Sequence, residues 1–129
     1  MNANWIKSCA LLAGLILVSL TAQAAPTVAL TAPEAGQVFI FPADVPLAAD
    51  AEDNDGTITK VDFYRGNTLI GTATSAPYTA TWNDAPIGNY NNIAARATDD
   101  RGTVTTSATR SISVRTAPPT VELSSPEDG

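Results

Sequence analysis

The chain has 129 residues, with thirteen acidic and seven basic side chains, no histidine and one cysteine. That acidic balance argues against nucleic acid and anionic membrane surfaces as partners, since both recruit clustered Lys and Arg. The lack of histidine removes the commonest general base and metal ligand, so catalysis finds little support from composition.

The first 24 residues read as an export signal. Lys7 is their only charge, an apolar run covers Cys9 to Leu20, and Ala22-Gln23-Ala24 gives a small-x-small cleavage pattern. The run is too short for the roughly 20 residues a membrane-spanning helix needs. Cys9 precedes most of the run and so does not mark a lipidation point. Removal of the signal leaves thirteen acidic and six basic residues, a net of −7, and no cysteine. The mature chain then has no disulfide, although export would permit one, and its stability must come from packing.

After Pro26 the text becomes rich in Thr, Val and Ala, in short alternating runs cut by Gly, Pro, Asn and Asp. Alternation predicts half-buried strands. They fall at Thr27–Thr31, Gln37–Phe41, Pro46–Ala51, Ile58–Tyr64, Thr68–Ala73, Pro77–Trp82, Asn92–Thr98 and Val104–Val114. Val61 and Phe63 share one face, with Lys60, Asp62 and Tyr64 on the other. Tyr78, Ala80 and Trp82 share a face, as do Ile93, Ala95 and Ala97. Tyr90 and Ile93 are three apart, yet both read as core residues. Either a β-bulge at Asn91-Asn92 brings them into phase, or Tyr90 precedes the strand in a corner. Seven or eight strands joined by turns, without helices, predict an all-β antiparallel sandwich over residues 25–115.

The ends of this stretch resemble each other. PTVALTAPEAG occupies positions 26 to 36 and PTVELSSPEDG positions 119 to 129, identical at seven of eleven places and offset by 93. Residues 116–129 are therefore expected to be a Pro-rich linker and the first strand of a second repeat, in a piece of a longer protein. Pro118-Pro119 stiffens the junction.

Together these motifs resemble the bacterial Ig-like domains found in tandem in exported proteins. The likeness rests on DNDGTITKVDFY from Asp53 to Tyr64, Leu69-Ile70-Gly71, and Ala76-Pro77-Tyr78 followed by Trp82. It continues with Gly88 and Tyr90, then Ala95, Ala97, Thr98, Asp99 and Gly102. It covers about Pro26 to Val114, with an extra residue between Tyr90 and Ile93. The resemblance implies an Ig-like sandwich without catalytic residues, acting as a spacer, stalk or adhesion module. Members are often appended to secreted hydrolases or surface proteins. The expected partners are further repeats of the same chain and a cell-surface protein or polysaccharide. The expected location is extracellular, at the cell surface or in the periplasm. An accessory or glycan-binding domain of a secreted hydrolase is the alternative.

The acidic stretch from Asp50 to Gly56 is the strongest hint of chemistry, because calcium wants six to eight oxygens. It fails as an EF-hand: with Gly56 at the sixth position, the first is Ala51 and the twelfth is Asp62. A different calcium site could use Asp53 and Asp55 with Asp99 and Asp100 from another loop. A solvated turn explains the same residues, with Asp55-Gly56 left-handed and Asp53 capping backbone N–H groups. Asp99-Asp100-Arg101-Gly102 reads as a hairpin turn. Trp82 reads as core rather than a sugar platform, because it shares the face of Tyr78 and Ala80. The expected core comprises Val61, Phe63, Tyr78, Trp82, Tyr90 and Ile93. No Gly-x-Ser-x-Gly elbow or phosphate-cradling loop occurs.

Overall fold

The computed structural model describes residues 23–120. The apolar run read as an export signal and most of the second PTV segment lie outside that range. Among the described residues no helix is long and apolar enough to cross a membrane.

Alternating burial drives the strands into two layers. β1 (Thr27–Ala32), β3 (Ala43–Glu52) and β6 (Tyr78–Ala85) form a three-stranded sheet in the order β1-β3-β6. β2 (Gln37–Ile40), β4 (Ile58–Arg65), β5 (Thr68–Ala73), β7 (Gly88–Asp99) and β9 (Arg110–Arg115) form the facing sheet in the order β2-β9-β7-β4-β5. β8 (Val104–Thr106) also pairs with β7. Leu30, Val45 and Leu47 from the first sheet meet Val61, Phe63, Ile93, Ala95 and Val114 from the second. Burying such side chains supplies the main drive to fold.

Among the described residues nine strands form rather than seven or eight. The stretch read as one strand from Val104 to Val114 is broken after Thr106, because Ser107 turns its hydroxyl inward. Its Oγ accepts from the Ala95 N–H at 3.0 Å and donates to the Ala108 carbonyl at 2.9 Å. The sandwich is also not wholly antiparallel: β2 runs parallel to β9, with Val38 opposite Ser113. β3 begins at Ala43 and β7 at Gly88, both earlier than the prolines and turn residues suggested.

The bulge between Tyr90 and Ile93 is present. Tyr90 pairs with Ile112 and Ile93 with Arg110, so β7 spends three residues where β9 spends two. Between Ala95 and Ile93 the opposite happens, since Ser107 pairs with Ala95. The two irregularities cancel, and Tyr90–Ile112 continues the register set by Arg96–Thr106. Both Tyr90 and Ile93 can therefore face inward.

Gly71 marks a close approach between the layers. It lies opposite Phe63, and a Cβ there would sit 2.8 Å from the Ala80 Cβ and 3.3 Å from Leu47 Cδ1. Gly71→Ala is expected to cost about 1–3 kcal/mol through overpacking. An unchanged midpoint in urea unfolding would show that the layers can part there at no cost.

Two poles follow from the strand directions. The entry pole gathers the start of β1, the β3–β4 loop and the β7–β8 turn, as Thr27 pairs with Glu52 and Ile58 with Asp99. The exit pole gathers the end of β2, the β4–β5 and β6–β7 turns and the end of β9. There Ile40 pairs with Arg115 and Gly88 with Val114.

Candidate functional site

The acidic residues singled out from the sequence all lie at the entry pole. Asp99 ends β7 and is 2% exposed. Its Oδ1 accepts from the N–H groups of Arg101 at 2.9 Å and Thr103 at 2.7 Å, which folds the β7–β8 turn over it. Gly102 completes that turn with φ at +88°, a backbone region that favours glycine. Asp100 ties the turn to the β3–β4 loop. Its N–H donates to the Thr57 carbonyl at 2.9 Å, and its Oδ1 accepts from the Thr57 N–H at 3.3 Å.

Gly56 sits between the two loops, and its backbone is not left-handed, contrary to the turn reading. It is needed for room. A Cβ would collide with Asp100 Oδ1 and lie 2.7 Å from Asp53 Oδ2. Asp53 does cap, as expected of a solvated turn: its Oδ1 accepts from the Asp55 N–H at 3.3 Å.

Asp55 faces a different way. Its Oδ2 accepts from the Ala24 N–H at 2.9 Å and pairs with Arg101 Nη1 at 3.2 Å. The Ala24 N–H, and then the Arg101 guanidinium, hold the Asp55 carboxyl below the ordinary carboxylate value. Asp53 is pushed the other way, first by burial of its carboxylate and then by the charges of Asp55 and Asp99. Asp53 Oδ2 and Asp99 Oδ2 are both shielded from solvent and without a hydrogen-bond partner. Among the described residues no three acidic, cysteine or histidine side chains stand close enough together to hold a metal ion as placed.

Trp82 and Tyr90 meet toward the exit pole, whereas Tyr78 starts β6 opposite Ala49 at the other end. Trp82 is 9% exposed and meets Tyr90 edge to face, with ring centroids 5.0 Å apart at 72°. The Arg65 guanidinium covers both rings, 5.4 Å from Trp82 and 5.3 Å from Tyr90. The Tyr90 hydroxyl donates to the Pro86 carbonyl at 2.7 Å, pinning the β6–β7 corner as a tyrosine corner does. Gly88 leaves room for that ring, since a Cβ there would lie 3.2 Å from the Tyr90 hydroxyl. Val61, Phe63 and Ile93 are fully buried, while Tyr78 and Tyr90 are half-buried against the core. The Tyr64 ring points out of the sheet but is covered by the Arg96 guanidinium at 4.1 Å.

Neither Arg65 nor Ser107 stands out in the sequence. A cationic residue before Gly66-Asn67 carries no mark of the rings it will cover. The exposed Ile40, Phe41 and Ile87 at the exit pole were equally unmarked, although Phe41 and Ile87 each stand beside a proline.

Comparison with known proteins agrees with this architecture. A family model described as "Bacterial Ig domain" matches residues 26–114. No curated protein matches the chain. A fibronectin(III)-like module of Clostridium thermocellum CbhA is similar in structure, at 32% identity and a TM-score of 0.67, over 72% of this chain and all of that one. An engineered protein is matched at 22% identity and a TM-score of 0.47, over 72% of this chain and 21% of that one. Domains of these kinds are usually non-catalytic modules. The two-sheet topology, the pinned Tyr90 corner and the match across residues 26–114 show that the chain belongs to the bacterial Ig domain family.

Proposed function

We propose that this module is a non-catalytic spacer of an exported or cell-surface protein, joined head to tail with further Ig-like repeats. The observation that carries the reading is where the chain enters and leaves. β1 starts at the entry pole and β9 ends at the exit pole, at opposite ends of the twelve-residue strand β7. At roughly 3.3 Å per residue, β7 alone spans about 40 Å. A module threaded end to end adds its own length to a chain, and repeats in series set distance. Export rests on the apolar run before Ala22-Gln23-Ala24. A glycan-binding role draws no support from Trp82, Tyr90 and Tyr64, because Arg65 and Arg96 cover their rings.

Small-angle scattering tests the spacer. Two modules in series are expected to show a maximum dimension close to twice that of one. A pair no longer than a single module would end the reading.

A calcium-stabilised module is a second reading, favoured by the unpartnered, buried oxygens of Asp53 and Asp99. A cation drawn between the β3–β4 loop and the β7–β8 turn would partner them, with Asp100 at hand and small rotations closing the gap. Calcium at about 100 times its dissociation constant would add about 2.7 kcal/mol, raising the melting temperature on the order of 10 °C. Asp53→Asn should abolish that response. Equal melting temperatures in EDTA and in millimolar calcium would remove the site.

A further inference from the structure

Three large apolar side chains stand exposed around the point where the chain leaves the sandwich. Ile40, Phe41 and Ile87 are 46%, 45% and 54% exposed. Ile40 pairs with Arg115 across the β2–β9 ladder, and the Phe41 N–H donates to the Arg115 carbonyl at 2.8 Å. Gly88 pairs with Val114, which sets Ile87 beside Arg115 on the opposite flank. Single exposed apolar residues are ordinary, but three around one exit form a patch. Arg115, itself exposed, puts a positive charge at its centre.

The tether is short. At the entry pole the Ala24 N–H is bound by Asp55. The 93-residue offset that aligns Pro26 with Pro119 aligns Ala24 with Ala117. Ala24 docks on this acidic loop while the segment read as an export signal is attached, and Ala117, which stays in the chain, holds the equivalent place before the second PTV segment. Only Thr116 lies between Ala117 and Arg115, and two residues reach at most about 7 Å. Pro118 and Pro119 restrict the next steps. A following repeat that shares these acidic loops, held this closely, brings its entry pole onto the apolar patch and its arginine.

We propose that Ile40, Phe41 and Ile87, with Arg115 at their centre, form the packing face for the next Ig-like repeat and fix its orientation. The proposal rests on the head-to-tail spacer reading and adds to it a rigid junction. The charge on Arg115 favours an acidic pole over a second exit pole, which would bring two arginines together.

The test uses residues 25–129 continued by residues 37–115 of a second copy, which keeps the natural junction, with residues 25–120 as the single module. Nitrogen-15 relaxation is expected to give both modules one shared correlation time, about twice that of the single module or more. Ile40→Ser, Phe41→Ser and Ile87→Ser together, in the first copy only, should return each module toward the single-module value. Arg115→Glu, which leaves the apolar patch in place, should weaken the coupling too. Melting curves of the single-module variants confirm that they fold. Independent tumbling of the unmodified pair would overturn the proposal, as would coupling untouched by the triple variant. Dimerisation of the single module that the triple variant abolishes would also overturn it, assigning the patch to an untethered copy. Scattering separates the two levels: an extended pair that tumbles independently keeps the spacer and loses the junction, whereas a folded-back pair loses both.

Discussion

Trp82→Ala should destabilise the module by about 3–5 kcal/mol, the usual cost of emptying a large aromatic site. Trp82 fills the exit end of the core, packed edge-on against Tyr90 and covered by Arg65. Its removal also strips Tyr90 of its ring contact, worth about 0.5–1.5 kcal/mol beyond the buried area. The Tyr90–Pro86 hydrogen bond would then hold the β6–β7 corner without support from beneath. Urea unfolding followed by circular dichroism measures the loss. Tryptophan fluorescence cannot follow the variant once the first 24 residues are gone, because Trp5 and Trp82 are the two tryptophans of the chain. A loss below about 1 kcal/mol would mean that the ring is not a core element, and would return it to a binding role.

Asp99→Ala should cost roughly 2–3 kcal/mol, through the backbone bonds that its carboxylate accepts. The N–H groups of Arg101 and Thr103 converge on one oxygen inside a turn that shields it from solvent. Charged acceptors make the stronger hydrogen bonds, and a lost acceptor leaves its donors to find others. Asp99→Asn keeps an acceptor oxygen and should cost less. Hydrogen exchange at Thr103 should rise in the alanine variant and stay close to the parent value in the asparagine one. Equal stability of all three proteins would show that Gly102 and the β7–β8 pairing hold the turn unaided.

Much of this arrangement can be read from local pattern. Val61 and Phe63 alternate with Lys60, Asp62 and Tyr64, and a strand turns that alternation into a core face, although Asp62 on the other face is itself buried, accepting from the Thr72 hydroxyl and paired with Lys60. The three-residue spacing of Tyr90 and Ile93 left two readings, a bulge or a corner before the strand, and only the pairing with β9 chose the bulge. The Asp-x-Asp-Gly and Asp-Asp-Arg-Gly stretches announced two polar turns, though not that the turns meet at one pole.

The sequence by itself determined the class of fold, the positions of most strands and which of their faces is buried, since these follow from a period of two and from turn residues acting within a few positions. Tertiary structure alone decided the break at Ser107, the parallel pairing of β2 and the true use of Gly56. Each depends on a partner far along the chain: Ala95 for Ser107, β9 for β2, Asp100 for Gly56. The same reason hid the cover that Arg65 gives Trp82 and the apolar ring around Arg115, because a side chain's neighbours across a sandwich are set by sheet order, which no short stretch of sequence contains.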